Sequence, residues 1–331
     1  MRKAALHNLG CKVNSYETEA MQQMLEEAGY EIVPFREGAD VYVINTCSVT
    51  NIADRKSRQM LHRARKMNPE AVVVAAGCYV QAAGEELQKD EAIDIVIGNN
   101  KKTELIEILD AYFEERSASE GDGTTHIAGG SHIIDIGKTK EYERLAIKKI
   151  ADHTRAFIKI QDGCNQFCSY CIIPYTRGRV RSRQVEEIVA EVETLVAAGY
   201  REIVLTGIHL SSYGIDCEES LLHLIQMVHQ VEGIRRIRLG SLEPRIVTET
   251  FAEELAKAQV KVSVKVGEGG KVFGSVSSKE IAEAAKAQLG YDIDKKKIQM
   301  KDPIKAVGTT SVAIKLHPKV TAELKVVVEG I

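Results

Sequence analysis

The sequence predicts an α/β protein in three parts: an N-terminal doubly wound parallel sheet, a truncated (β/α) half-barrel, and a small α+β domain. Three observations carry this. Strand and helix patterns alternate through the first hundred residues. The alternation resumes after a stretch of loop composition and stops near residue 250. Beyond that point the apolar pattern is that of short strands around a single helix. A chain of 331 residues is long enough to give each part its own core.

Ala4 to Leu9 reads as the first strand. Asn14 with Glu17 reads as a helix start, and Met21, Met24, Leu25 and Ala28 mark one helical face that Gly29 ends. Val41 to Asn45 is a short buried strand, followed by a helix from Ile52 to Lys66. Ala71 to Ala76 is a third strand with a helix from Val80. Asp94 to Ile97 is a fourth strand, and Thr103 to Phe113 a fourth helix. That order implies a parallel sheet with helices on both faces. The stretch 114–153 contains Ser-Ala-Ser-Glu-Gly-Asp-Gly and Gly-Gly-Ser and reads as a linker. Ala156 to Gln161 is a strand, Val185 to Ala198 a helix, and Glu202 to Thr206 a strand ending at Gly207. A helix from Leu221 to Gln230 leads to the strand Arg236 to Leu239. In the tail, Val260, Val262, Val264 and Val266 alternate as a half-buried strand. Ser278 reads as the cap of a helix through Gln288, and strands fall near Ile298, Ser311 to Leu316 and Leu324 to Val328. Gly267, Gly269, Gly270 and Gly274 do not match a phosphate-binding loop and read as turn glycines. The resulting domains are 1–113, a linker 114–153, 154–251 and 252–331.

Six of the seven cysteines form two trios. Cys164, Cys168 and Cys171 make a tight CxxxCxxC loop directly after a strand. Cys11, Cys47 and Cys78 are scattered, yet each lies just past the carboxyl end of one of the first three strands, where open α/β sheets bind their ligands. A lone cysteine is usually a small buried hydrophobe, but three at one topological position argue against that. Three thiolates on an iron–sulfur cluster leave one iron open for chemistry. Zinc prefers four closed ligands, and only His209 and His7 are conceivable fourths, so a structural zinc protein ranks behind. Cys217 reads as a free thiol. Net charge is −3, so any contact with nucleic acid must come from local patches. No apolar run reaches membrane-spanning length and the N-terminus lacks a signal-peptide pattern, so a reducing cytoplasm is expected.

The CxxxCxxC loop resembles the signature of the radical S-adenosylmethionine (SAM) enzymes. Together with Asn8-Leu-Gly-Cys-Lys-Val-Asn-Ser, Asn45-Thr-Cys and Ala76-Gly-Cys-Tyr-Val-Gln, it is similar to the tRNA methylthiotransferases. Gly163-Cys-Asn-Gln-Phe-Cys-Ser-Tyr-Cys-Ile-Ile-Pro-Tyr-Thr-Arg-Gly resembles most closely the branch acting on threonylcarbamoyladenosine, the MtaB type. The resemblance runs from the N-terminus to about residue 250. It implies two [4Fe–4S] clusters, one on Cys164, Cys168 and Cys171 that cleaves SAM, and one on Cys11, Cys47 and Cys78 that handles sulfur. The cofactor carries that hard chemistry while the protein orients it. Tyr170, Thr206, Gly207, Ser241 and Glu243 are the candidate SAM contacts. The product would be a 2-methylthio group on the modified adenosine beside a tRNA anticodon. The sulfur source and electron donor are unassigned.

Arg177, Arg179, Arg181 and Arg183 crowd seven residues beside the cluster loop and are expected to meet RNA phosphates, or in part the carboxylate of SAM. Arg55, Lys56, Arg58, Arg63, Arg65 and Lys66 crowd the second helix, as a further RNA patch or as a solvated face. Between residues 154 and 251 there is room for three βα units, fewer than the closed barrel of the superfamily implies. The tail resembles the C-terminal domain of the bacterial ribosomal protein L-nine family, with the join between Thr250 and Val260. Its lysines Lys295, Lys296 and Lys297 are the sequence's nearest hint of a ribosome or rRNA contact. The reading is therefore a tRNA methylthiotransferase impaired by truncation. The alternative is a ribosome-associated or rRNA-binding protein working through its tail.

Overall fold

The computed structural model describes residues 1–119, 130–147, 155–240, 242–243, 259–266, 272–273, 275–289, 293–300, 302–317 and 320–330. The chain divides into two compact units, the first running from Met1 to Val231 and the second holding the C-terminal sheet.

In the first unit the elements run β1 (Lys3–Asn8), α1 (Lys12–Glu27), β2 (Glu31–Ile32), β3 (Val41–Thr46), α2 (Asn51–Met67), β4 (Val72–Gly77), α3 (Cys78–Ala83), β5 (Ile95–Ile97), α4 (Leu105–Ser119) and β6 (Ser131–His132). They build a six-stranded sheet in the order β2-β1-β3-β4-β5-β6, every pairing parallel. Successive residues of a strand point to opposite faces, and both faces here are covered. Val41, Val43, Val72 and Val74 pack with Met21 and Leu25 of α1 and Leu105 and Leu109 of α4. Tyr42, Ile44, Val73 and Ala75 pack with Leu61 and Ala64 of α2 and Val80 of α3. The doubly wound sheet expected from the alternation is therefore present. Thr50 caps α2 by accepting from the Ala53 N–H at 3.1 Å.

Two expectations change here. The α1 helix starts at Lys12 with Cys11 at its N-cap, and Asn14 lies inside it, so Asn14 and Glu17 do not form its cap. Within the segment read as linker, residues 114–119 and 130–147 are described and carry structure. Helix α4 continues past Phe113 to Ser119, and β6 joins the sheet. Leu145 and Ile147 are buried, and the Glu143 carboxylate accepts from the Lys102 and Thr103 N–H groups. These contacts are tertiary, so glycine- and serine-rich composition did not reveal them.

The chain continues with β7 (Ala156–Asp162), α5 (Ile173–Thr176), β8 (Arg181–Ser182), α6 (Val185–Ala197), β9 (Glu202–Gly207), α7 (Leu221–His229) and β10 (Arg236–Leu239). The sheet order is β10-β9-β7-β8, with β7 parallel to β9 and antiparallel to β8. The expected half-barrel is present as these βα units.

The second unit carries β11 (Gln259–Val266), β12 (Val272–Phe273), α8 (Ser278–Ala284), β13 (Ile298–Gln299), β14 (Gly308–His317) and β15 (Val320–Gly330), in the sheet order β12-β11-β15-β14-β13. Val276, Ile281, Ile298, Val312, Ile314, Leu324, Val326 and Val328 form its core. The cap of α8 is Ser277, one residue before the expected Ser278, because Glu280 reaches back to the Ser277 N–H to close a capping box. The join expected between Thr250 and Val260 falls almost wholly outside the described residues, as do the four turn glycines. No helix among the described residues is long and apolar enough to cross a membrane.

Candidate functional site

Strands β1, β3 and β4 are neighbours, so the segments that follow them emerge side by side at the carboxyl edge of the sheet. Cys11 lies exposed at the start of α1, while Cys47 and Cys78 are buried just past β3 and β4. Ser57 of α2 pins the Cys47 backbone, accepting from its N–H at 3.2 Å and donating to its carbonyl at 3.0 Å. Two glycines make room. A Cβ on Gly10 (φ +106°) would stand 2.8 Å from Cys47 Sγ, and one on Gly77 (φ +96°) 2.5 Å from Asn45 Oδ1. Burial pushes the Cys47 thiol up, a backbone N–H at Val49 opposes this, and the Cys78 and Cys11 sulfurs add to the rise.

The second trio sits in the loop between β7 and α5. Asp162 turns the chain by accepting from the Gly163 N–H at 2.8 Å, and the Cys164 N–H is held by the Gly178 carbonyl at 3.0 Å. Cys164 is buried, Cys171 half-buried and Cys168 exposed, and the Gln166 N–H points at Cys164 Sγ from 3.5 Å. Three sulfurs from one short loop, with backbone N–H support, match the donor set of an iron–sulfur cluster with an open iron. Among the described residues no three His, Cys, Asp or Glu side chains are arranged to hold a single metal ion.

Between the trios lies a buried ionic network. Glu17 of α1 accepts from Arg177 Nη1 at 2.6 Å and from Lys159 Nζ at 2.7 Å, with Lys102 Nζ at 3.2 Å. Asp162 faces Lys159 at 2.6 Å and Arg177 at 3.1 Å. Burial alone would push the Glu17 carboxyl up, but Arg177, Lys102 and Lys159 outweigh it and hold it well below the usual carboxylate range. Asp162 is likewise held low by Arg177, Lys159 and Arg181 against its burial. Burial would lower Lys159, yet Asp162 and Glu17 raise it above its ordinary value. Arg177 also reaches Asn14 Oδ1 at 2.6 Å and donates through Nε to Cys78 Sγ at 3.2 Å. Asn14 in turn donates to the Leu9 and Thr46 carbonyls at 2.8 and 2.9 Å, tying together the ends of β1 and β3.

The arginine cluster is a correction. Arg177, Arg181 and Arg183 are buried, with Arg177 and Arg181 facing Asp162 and Arg183 paired with Glu191, so they are not available to phosphates. Only Arg179 is exposed, its guanidinium 4.3 Å above the Phe167 ring. On α2, Arg55, Lys56, Arg58, Arg63 and Lys66 are at least partly exposed, whereas Arg65 pairs with Asp94. Of the candidate SAM contacts, Tyr170 is 91% exposed beside Cys171, and Thr206 is buried near the end of β9. Gly207 lies against Gln161, whose Oε1 accepts from the His209 N–H at 2.8 Å. Glu243 is half-buried in the second unit, and Ser241 falls outside the described residues. Cys217 is a free cysteine whose thiol burial and Asp216 push up. Glu17, Lys159, Asp162, Asn99 and Lys102 were not singled out from sequence as site residues. A lysine and a terminal acid in the largely apolar strand Ala156–Asp162 were the available signal.

The βα units with their cysteine loop have the layout of a radical SAM domain, and a cysteine-bearing α/β domain precedes them. Comparisons agree: residues 3–98 match Uncharacterized protein family UPF0004, residues 158–271 the Radical SAM superfamily, and residues 247–330 Ribosomal protein L9, C-terminal domain. The chain is 44% identical over 260 residues to the threonylcarbamoyladenosine tRNA methylthiotransferase MtaB of Bacillus subtilis, covering 78% of this chain and 55% of the relative. It is 42% identical to MtaB of Aquifex aeolicus, covering 72% and 56%. It is 32% identical to a tRNA-2-methylthio-N(6)-dimethylallyladenosine synthase of Akkermansia muciniphila, covering 74% and 56%. Up to about residue 250 the chain carries UPF0004 and Radical SAM domains and is similar to the methylthiotransferases, and its tail is a ribosomal L9 C-terminal domain. It spans about half the length of the curated relatives it matches. In fold it is similar to the radical S-adenosylmethionine methyltransferase TsrM from Kitasatospora setae, with a TM-score of 0.51, 17% identity, and coverage of 89% of this chain and 65% of that one.

Proposed function

We propose that this chain is a tRNA methylthiotransferase of reduced competence. Its reaction is the addition of a methylthio group to the 2-position of N6-threonylcarbamoyladenosine next to the anticodon, in the cytoplasm. The observation that carries the reading is the pairing of two cysteine trios with one buried network between them. Cys164, Cys168 and Cys171 would hold one [4Fe–4S] cluster, and Cys11, Cys47 and Cys78 a second. When bound, the first supplies reductive cleavage of SAM's carbon–sulfur bond. The chain's own contribution is orientation and shielding. Asp162 and the Gly178 carbonyl shape the cysteine loop. Gln161 braces the β9 end, where Thr206 and Gly207 face the same edge of the sheet as that loop. Asn14 and Ser57 fix the strand ends that carry Cys11 and Cys47. The reduced competence follows from the early end of the βα repeats, after which the sequence is that of another domain. Fewer strands leave fewer groups to enclose SAM and RNA.

The test is anaerobic reconstitution, then dithionite and SAM, assayed for 5′-deoxyadenosine. Slow release above a Cys168→Ala control is expected, with little methylthiolation of tRNA. No release from cluster-loaded protein would overturn the enzyme reading, and robust methylthiolation would overturn the impairment. The match of residues 247–330 to a ribosomal domain favours a second reading, binding to the ribosome or rRNA through the tail. Co-sedimentation with ribosomes without tRNA binding would select it.

A further inference from the structure

Arg177 follows the CxxxCxxC loop by six residues, yet its guanidinium ends against the other trio. Its Nε donates to Cys78 Sγ at 3.2 Å, while its two terminal nitrogens are fixed by Glu17, Asp162 and Asn14. A second donor aims at the same sulfur: Asn99 Nδ2 lies 3.6 Å from Cys78 Sγ and 2.7 Å from the carbonyl of Thr176, the residue before Arg177. The amide's orientation is not arbitrary. Lys102 Nζ, which can only donate, sits 2.7 Å from Asn99 Oδ1, so the NH₂ must face the sulfur and the carbonyl. Charge points the same way. Lys102, Lys159, Arg177 and Arg181 are four cations in this pocket, against the three carboxylates Glu17, Asp162 and Glu143. This leaves a net positive charge beside the sulfur.

We infer that Arg177 and Asn99 are positioning residues that raise the reduction potential of a cluster ligated by Cys78, so that the segment following one trio tunes the cluster on the other. N–H···S bonds and nearby positive charge stabilise the more negative, reduced state of a cluster. The inference rests on the reading that Cys11, Cys47 and Cys78 hold a cluster.

The experiment uses the full chain carrying Cys164→Ala, Cys168→Ala and Cys171→Ala, which leaves only the N-terminal site. After anaerobic reconstitution, iron and labile sulfide report whether a cluster is present, and a dye-mediated titration gives its midpoint potential. Arg177→Lys, which keeps the charge but loses the Nε donor, is expected to lower the midpoint. Asn99→Ala lowers it less, because its contact is longer. Tyr16→Phe, which loses buried bonds to Leu145 and Glu191 but touches no sulfur, leaves it unchanged. In the reciprocal Cys11→Ala, Cys47→Ala, Cys78→Ala background, Arg177→Lys does not move the remaining cluster. An unmoved midpoint in the loaded first background overturns the inference, and so does an equal shift of both clusters. A parent background without iron overturns the underlying reading, and the inference with it. If Arg177→Lys fails to take up iron, Asn99→Ala decides by the same shift.

Discussion

Glu17 meets three cations without access to water, and so it holds two domains' worth of charge in place. Replacing it by glutamine leaves Arg177, Lys102 and Lys159 under-compensated in a buried site. Removing one partner of such a pair costs about 3–5 kcal/mol, so Glu17→Gln is expected to destabilise the first unit by that amount, read from its denaturant midpoint. The pH dependence follows from the same contacts. Glu17 and Asp162 are held below their ordinary values, so their stabilisation is complete above the unfolded values near ~4 and is lost as pH falls from there. Lys159 is held above its ordinary value, so its share is complete below about 10.4 and is lost as pH rises beyond that. The share of these three groups is therefore flat from roughly pH 5 to 10. The urea midpoints of the wild type and Glu17→Gln are expected to differ by a constant amount over that range and to converge below about pH 4. A difference that shrinks between pH 7 and 5 would contradict it.

If the chain binds tRNA, as proposed, helix α2 is a candidate contact, since Arg177, Arg181 and Arg183 are accounted for by carboxylates. Its Arg55, Arg63 and Lys66 reach solvent from a helix that starts four residues after Cys47. Replacing all three by alanine is expected to weaken tRNA binding, read by fluorescence anisotropy. The salt dependence should flatten as well, by about 1 in slope for each phosphate no longer neutralised. An unchanged salt slope would return α2 to a solvated face. The elements themselves were largely legible from sequence. Strands β1, β3, β4, β7, β9 and β10 fall within a residue or so of expectation, because continuous apolar runs between turn signals have few alternatives. The trios were legible for the same reason, since each cysteine closely follows such a run. What stayed hidden were pairings over long sequence separations. Asn14 and Glu17 look like a capping pair and Arg177 to Arg183 look like a phosphate patch, because each pattern is local. Their partners lie as far as 163 residues away, and no local pattern reports them.

At the scale of the whole molecule, the two compact units have separate cores, and their stabilities are expected to separate. Calorimetry of the full chain should show two transitions. Ser277→Ala removes the cap of α8 at a cost of about 1 kcal/mol, which lowers only the tail's transition, by roughly 4–8 °C. A single transition that shifts as a whole would mean the units unfold together. The network joining the cysteine-bearing sheet to the half-barrel bears instead on how the protein is made. Glu17 leaves the ribosome 160 residues before Arg177, an interval of roughly 10 to 30 s at ordinary rates of synthesis. Cys78 precedes Arg177 by 99 residues, roughly 5 to 20 s at the same rates, and for that time it has no guanidinium over it. If the front trio holds a cluster, as proposed, delivery of its iron and sulfide has a co-translational window, which closes when Arg177 arrives and covers the sulfur with its own charge.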